Sequence, residues 1–312
     1  MMVKEGMIRI GRFPSPLGPK IPKAKRWGEA KPKKPGKDES MRWISLLTAV
    51  VLLALPLCAW AGDTDPGIPS NYVLAFSDEF SQDGPVDPQR WTLEEGPARY
   101  NQELECYTGQ NAWVEDGCLI IEARKEEREG MEYTSARLNT QDTFSFRYGR
   151  LEARVALPDG RGTWSALWLL PSDTRYGGWL ASGEIDLLEH VGYDPRWVHS
   201  TIHTQENNSL NDNAITNSAC LEGDPGAFHE YVLMWDRRSI STYLDGELLN
   251  HYRPRGKDMD NPDVWPFNVP FHLVMNLAVG GSWGGHEGVD ADSFPQRMLV
   301  DYVRVYVPEE NA

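Results

Sequence analysis

Downstream of residue 61, apolar side chains recur in short alternating runs separated by turn residues, and no long stretch repeats every 3.6 positions. Leu151, Ala153, Val155 and Leu157 alternate with Glu152 and Arg154, which makes one face of an extended segment apolar. Ser241-Thr242-Tyr243-Leu244 and Glu247-Leu248-Leu249 flank Asp245-Gly246, a pair suited to a hairpin turn because glycine accepts positive φ. Val300-Asp301-Tyr302-Val303-Arg304-Val305-Tyr306-Val307 predicts a last strand that closes a sheet. With no internal repeat and no linker composition, the pattern predicts one all-β domain over residues 62–312, a sandwich or a barrel.

One segment breaks the alternation. In Gly183-Glu184-Ile185-Asp186-Leu187-Leu188-Glu189-His190, a regular strand puts Glu184 and Asp186 on one face and Ile185 and Leu187 on the other. Glu189 then falls among the apolar residues, where an unpaired carboxylate is strongly disfavoured. A β-bulge around Leu187 and Leu188 returns it to the side of the other two acids, and bulges gather beside active sites. The competing readings are a solvated edge strand and a helix. Ile185, Leu188 and Glu189 have helical spacing, but Gly183 and Gly192 leave too few residues for a stable helix. Two glutamates on one cleft with an aspartate between them suit glycoside hydrolysis.

Composition changes the picture at the N-terminus. Residues 1–40 are basic, rich in Lys, Pro and Gly, and without hydrophobic periodicity; they read as a disordered extension upstream of Met41 as true initiator. Residues 41–61 hold Met41-Arg42-Trp43, an apolar run from Ile44 to Leu57, and Ala59-Trp60-Ala61. That is the layout of a secretory signal cleaved after Ala61, so the protein is expected to be secreted or periplasmic. The run is shorter than the roughly 20 residues of a membrane span and contains Pro56, which argues against a retained anchor. Leu57 argues against lipidation at Cys58.

The whole chain carries a net charge of −15, and the part after residue 61 is more acidic still. Such a charge disfavours nucleic acid and anionic membranes and does not hinder an uncharged polysaccharide. Cys106, Cys118 and Cys220 remain after cleavage, an odd number; Cys106 with Cys118 is the first pair to consider, because they lie in neighbouring strand-like segments.

The acidic octapeptide resembles the E-[hydrophobic]-D-x-x-E signature of glycoside hydrolase family 16, in the bulged form of its laminarinase-like members. Tyr133-Thr134-Ser135-Ala136-Arg137, Trp164-Ser165-Ala166-Leu167-Trp168-Leu169-Leu170-Pro171, Tyr176-Gly177-Gly178-Trp179 and Asn276-Leu277-Ala278-Val279-Gly280-Gly281-Ser282-Trp283 resemble further blocks of bacterial endo-β-1,3-glucanases, in the same order. The likeness runs from Phe76 to Val307.

The resemblance implies a β-jelly-roll sandwich of two antiparallel sheets with a concave substrate cleft. It implies a monomeric, endo-acting, retaining enzyme that cleaves β-1,3 bonds of laminarin-type β-glucans without a catalytic cofactor. Glu184 would be the nucleophile, Glu189 the acid/base, and Asp186 the hydrogen-bonding partner of Glu184. Trp168 and Trp179 would lie near the reactive sugar, Trp283 would cap the cleft, and Trp164 reads equally as cleft or core. Asn101 and Arg137 are sugar-binding candidates; in the Asn101 block, Glu105 and Cys106 depart from the family pattern. Arg137 could instead pair with a surface acid. His203 is expected near the acid/base, and a zinc site with His199 lacks a third ligand.

Glu79 and Asp301 match positions of a structural calcium, with unoccupied surface acids as the alternative. The rival activities are mixed-linkage β-1,3-1,4-glucanase and agar or carrageenan hydrolase. A non-catalytic β-glucan-binding protein is the rival outside enzymes, and retention of all three acids argues against it.

Overall fold

The computed structural model describes residues 64–224 and 226–311. The expectations for the basic extension at 1–40 and the signal at 41–61 lie outside the described residues.

Two large antiparallel sheets face each other, with apolar side chains between them. One has seven strands in the spatial order Ile215–Cys220, Trp197–His203, Glu184–Val191, Thr163–Pro171, Phe271–Val279, Arg137–Asn139 and Thr92–Leu93. The other has nine, with Gly149–Ala156 and Gln296–Pro308 at its centre and Tyr72–Asp78 paired to the last strand. This is the expected all-β jelly-roll architecture. Period-two alternation fills the space between the sheets: Leu167, Leu169, Ile185, Leu187 and Leu188 from one meet Leu151, Ala153, Val155, Val303 and Val305 from the other, all fully buried. The opposite face of the seven-stranded sheet carries Trp164 and Trp168, half-buried, from the same strand that buries Leu167 and Leu169.

The Asp245-Gly246 hairpin forms as predicted, with φ of 49° and 84° at its two central residues. The last strand is longer than the sequence pattern suggests, Gln296–Pro308. A register shift opposite Arg154/Val155 divides it, so that its first half pairs with Cys118–Ala123 and its second half with Tyr72–Asp78.

A small third sheet joins Gly96–Pro97, Glu105–Tyr107 and Tyr133–Ser135, the last two in parallel. It docks on the seven-stranded sheet where the Leu104 amide donates to the Val279 carbonyl at 2.8 Å. The cysteine expectation is corrected: Cys106, Cys118 and Cys220 are all free. Cys106 lies in this small sheet and Cys118 opens a strand of the nine-stranded one, so proximity in sequence does not become proximity across a bridge.

A buried ion pair ties the start of the described chain to the fold. Arg150 is 3% exposed and donates through its two terminal nitrogens to both carboxylate oxygens of Asp65, at 2.5 and 2.6 Å, and through Nε to Glu152. Beside it, the Asp65 amide donates to the Gly246 carbonyl at 2.8 Å.

Candidate active site

The Glu184–Val191 strand lies in the middle of the seven-stranded sheet, between Thr163–Pro171 and Trp197–His203. Gly183 sets its entry. At φ 82°, a Cβ there would lie 2.7 Å from the Phe267 ring and 2.8 Å from Pro266, so only glycine fits. The predicted bulge is present. Trp168 pairs with Asp186, Leu167 with Leu188 and Ala166 with Glu189, which leaves Leu187 as the extra residue. On the other edge, Asp186 faces Thr201 and Glu189 faces His199, so Ser200 alone stands opposite both leucines.

The bulge interrupts the backbone ladder, and side chains complete it. The Ser200 hydroxyl donates to the Asp186 carbonyl at 2.8 Å and accepts from the Thr242 hydroxyl at 3.0 Å. Asn250 donates to the Ser200 carbonyl at 2.9 Å. Thr242 and Asn250 belong to the nine-stranded sheet, so the second layer braces the irregularity in the first.

As a result Ile185, Leu187 and Leu188 point into the core while Glu184, Asp186 and Glu189 share the outer face. Burial pushes Glu184 up to about 8, with repulsion from Asp186 adding to the rise. Burial also raises Glu189 to about 7, with Glu184 adding, and holds Asp186 well above the usual carboxylate range. Three carboxyls this close and this dry cannot all be charged at neutral pH; they share protons. Asp186 and Glu184 are hydrogen-bonded to each other. Glu184 also accepts from the Trp179 indole, and Glu189 accepts from the Trp164 indole at 3.3 Å and from Thr201 at 3.2 Å.

Every sugar-site residue predicted from sequence has a definite place. Trp164 lies on the cleft face, edge-on to Trp283 at 5.4 Å between ring centroids, and His199 packs against the same Trp283 ring at 5.0 Å. Trp179 is 54% exposed beside Glu184, open to a ligand. Trp168 donates to Asn276 Oδ1 at 2.8 Å, and the Arg137 guanidinium lies over its ring at 4.8 Å. Arg137 also takes the acid partner that the sequence left open, Glu94, at 2.9 Å. Asn101 has φ 53°, and its carbonyl accepts from the Ser282 amide at 2.7 Å, which joins its loop to the glycine-rich turn ahead of Trp283.

His203 pairs across strands with Glu184, its Nε2 is 3.3 Å from Asp186, and it also acts electrostatically on Glu189, whose pKa it lowers. Sequence reasoning missed Thr201, Asn276, Glu94 and Tyr107. The first two were within reach of period two: His199 and Thr201 share a face with His203, and Asn276 alternates with the core residues Met275 and Leu277.

The calcium expectation does not fit the residues present. Arg304 engages Glu79 through two nitrogens at 2.8 and 2.6 Å, and Arg154 engages Asp301 at 2.6 Å. Each carboxylate is neutralised by its own guanidinium, so the two do not converge on a shared cation. Among the described residues, the group with metal-ligand spacing is Glu184, Asp186 and His203, within 4.8 Å of one another, in the carboxyl cluster itself.

Comparisons with known proteins place this geometry. The family model for glycosyl hydrolases family 16 matches residues 100–304. A β-glucanase of Rhodothermus marinus is 44% identical over 269 residues, covering 83% of this chain and 93% of that protein. The X-ray structure of the laminarinase from the same organism superposes with a TM-score of 0.72 at 45% identity, covering 76% of this chain and 97% of the other. The structure of a non-specific endo-β-1,3(4)-glucanase from family GH16 gives a TM-score of 0.73 at 39% identity, covering 79% and 96%. Bulged acidic strand, two-sheet architecture and sequence similarity over most of the chain agree: the chain belongs to the glycosyl hydrolases family 16, whose chemistry needs no catalytic cofactor.

Proposed function

We propose that the chain is an endo-acting, retaining hydrolase of β-1,3-glucosidic bonds in laminarin-type glucans, working as a monomer and exported after cleavage behind Ala61. The observation that carries this reading is the placement of Glu184, Asp186 and Glu189 on one face by a single extra residue, beside Trp164, Trp168 and Trp179. Indole rings offer flat apolar faces to the C–H face of a sugar.

In the first step the Glu184 carboxylate attacks the anomeric carbon. The bond from that carbon to the leaving oxygen breaks, and Glu189 gives the oxygen its proton. Asp186 and Glu184 are hydrogen-bonded and share a proton; attack requires that proton to sit on Asp186, which burial holds protonated, so that its hydroxyl donates to the Glu184 carboxylate and aims it. Once Glu184 is esterified, its repulsion on Glu189 disappears and the acidity of Glu189 increases. Glu189 then takes a proton from water, which attacks the ester and releases the sugar with its original configuration.

The likeness to the non-specific β-1,3(4)-glucanase supports mixed-linkage glucan as a second substrate. Incubation with laminarin, mixed-linkage glucan, agarose and carrageenan, followed by product sizing, tests the substrate. Internal cleavage of laminarin is expected, and turnover confined to the galactans would refute the proposal. Glu184→Gln should abolish hydrolysis while the fold persists. Glu189→Ala should still attack an activated aryl glycoside and transfer it to azide with retention; an inverted product would exclude double displacement.

A further inference from the structure

The cleft face continues past the carboxyl cluster to a tryptophan that the catalytic steps do not use. From Trp197 to Ile202, the Trp197–His203 strand pairs with Ile215–Cys220 without a register shift, so its side chains alternate strictly between faces. Val198 and Ile202 are in the core, and Ser200 bonds to Thr242 of the second sheet. His203, Thr201 and His199 face the cleft, where they meet Asp186, Glu189 and the Trp283 ring. Trp197 is the next residue on that face. It is 41% exposed, and among the described residues its ring has no stacking, cation or hydrogen-bond partner. Trp113 on the other sheet, by contrast, has the guanidiniums of Arg124 and Arg297 over its ring. A lone exposed indole is ordinary on an outer surface; on the wall of a cleft that takes sugars it is placed for a ligand.

The surroundings of Trp197 suit a neutral sugar. Across from it stands Cys220, and across from His199 stands Ser218, whose hydroxyl is 2.9 Å from His199 Nδ1. Thr216 donates to the Thr201 hydroxyl at 3.1 Å. The edge strand Ile215–Cys220 thus extends the cleft floor with exposed hydroxyls, and it carries no charged residue with which to hold a sulfated chain.

Register also says which part of a substrate reaches Trp197. Trp168, Asn276 and Arg137 lie on strands to one side of Glu184–Val191, and Trp197 lies on the other. Along its strand it is beyond His199, which faces Glu189, and farther from His203, which faces Glu184. The group that protonates the leaving oxygen must touch it, so the released segment lies on the Glu189 side of the nucleophile. His199 adjoins Glu189, and Trp197, roughly 7 Å further along the strand, meets the next sugar.

We propose that Trp197 is a specificity-determining residue whose indole stacks on the second sugar of the leaving segment, so that bonds with at least a disaccharide on that side are cut in preference. The inference rests on the proposed glucan hydrolysis, and its test has a readout that does not depend on turnover. Laminarihexaose with an isotopic label at its reducing end, digested and sized by mass spectrometry, shows which bond is cut. Release of labelled disaccharide or longer fragments should outweigh release of labelled glucose. Trp197→Ala should lower that ratio about tenfold, and Trp197→Phe, which keeps a ring, should restore most of it. The ratio is internal to each digest and does not depend on how much of a variant folds. Independently, alkylation of the exposed Cys220 by iodoacetamide reports occupancy of the position across from Trp197. In Glu184→Gln protein, laminarihexaose should slow this alkylation, and adding Trp197→Ala should remove the protection. An unchanged cleavage ratio in Trp197→Ala, or alkylation that neither laminarihexaose nor an agarose oligosaccharide slows, would overturn the proposal. Protection by the agarose oligosaccharide alone would uphold Trp197 as a sugar platform and count against the glucan reading.

Discussion

Glu189 is held by two donors, the Trp164 indole and the Thr201 hydroxyl, and both favour its charged form. A general acid must carry its proton before the leaving oxygen departs. With Glu189 at about 7 and Glu184 at about 8, the state in which Glu184 is charged and Glu189 protonated is lost as pH rises above both values, and kcat/KM should fall about tenfold per unit there. Thr201→Val removes one stabiliser of the carboxylate and should raise the pKa, moving the alkaline limb up by about half to one unit. A pH–rate profile of kcat/KM on laminarin checks this, and a limb moving to lower pH would reverse the assigned role of Thr201. The acids themselves were legible in the sequence because a charge out of phase with its neighbours is costly unless the backbone changes. Thr201 and Asn276 give no such signal. A threonine or an asparagine is at home on many strands, and only a partner brought from another strand makes either informative.

At the scale of the element, the bulge depends on groups outside its own strand. Ser200 faces the two leucines alone, and its hydroxyl takes the carbonyl that the irregular ladder leaves free. Ser200→Ala should leave the buried Asp186 carbonyl unsatisfied, at about 1–3 kcal/mol. The expected result is a melting temperature several degrees lower and a kcat lower by about tenfold, with KM little altered, because the spacing of Glu184 and Glu189 relaxes. Unchanged kcat beside a lowered melting temperature would mean that the bulge keeps its shape without this brace. The position of the bulge could be inferred from phase arithmetic alone, and so could the Asp245-Gly246 hairpin. The three-residue strands Glu105–Tyr107 and Tyr133–Ser135 could not, since they are too short to show a period and owe their form to docking on a distant strand. The same docking places Cys106 away from Cys118.

Across the whole molecule, the sequence pattern indicated a sandwich or a barrel, and the family resemblance two facing sheets, but neither specified their strand order, because non-local pairing is written in no local run of residues. Gly149–Ala156 finds Gln296–Pro308, and Thr64 bridges to Glu247 at the start of the Glu247–Tyr252 hairpin strand. A buried charged tie between such distant parts is Arg150 with Asp65, with Glu152 beside them. Arg150→Ala would strand Glu152, 6% exposed, and is expected to cost about 3–5 kcal/mol, read as a large drop in melting temperature. A loss under 1 kcal/mol would show that the triad is solvated in practice. Asp65 stands only four positions beyond the proposed cleavage point at Ala61. A peptidase that cut a few residues further in would yield a chain of almost the same mass, carrying a buried guanidinium stripped of one of its two carboxylates. Folding would then act as a check on where the amino terminus had been made, passing correctly trimmed chains and exposing over-trimmed ones to degradation.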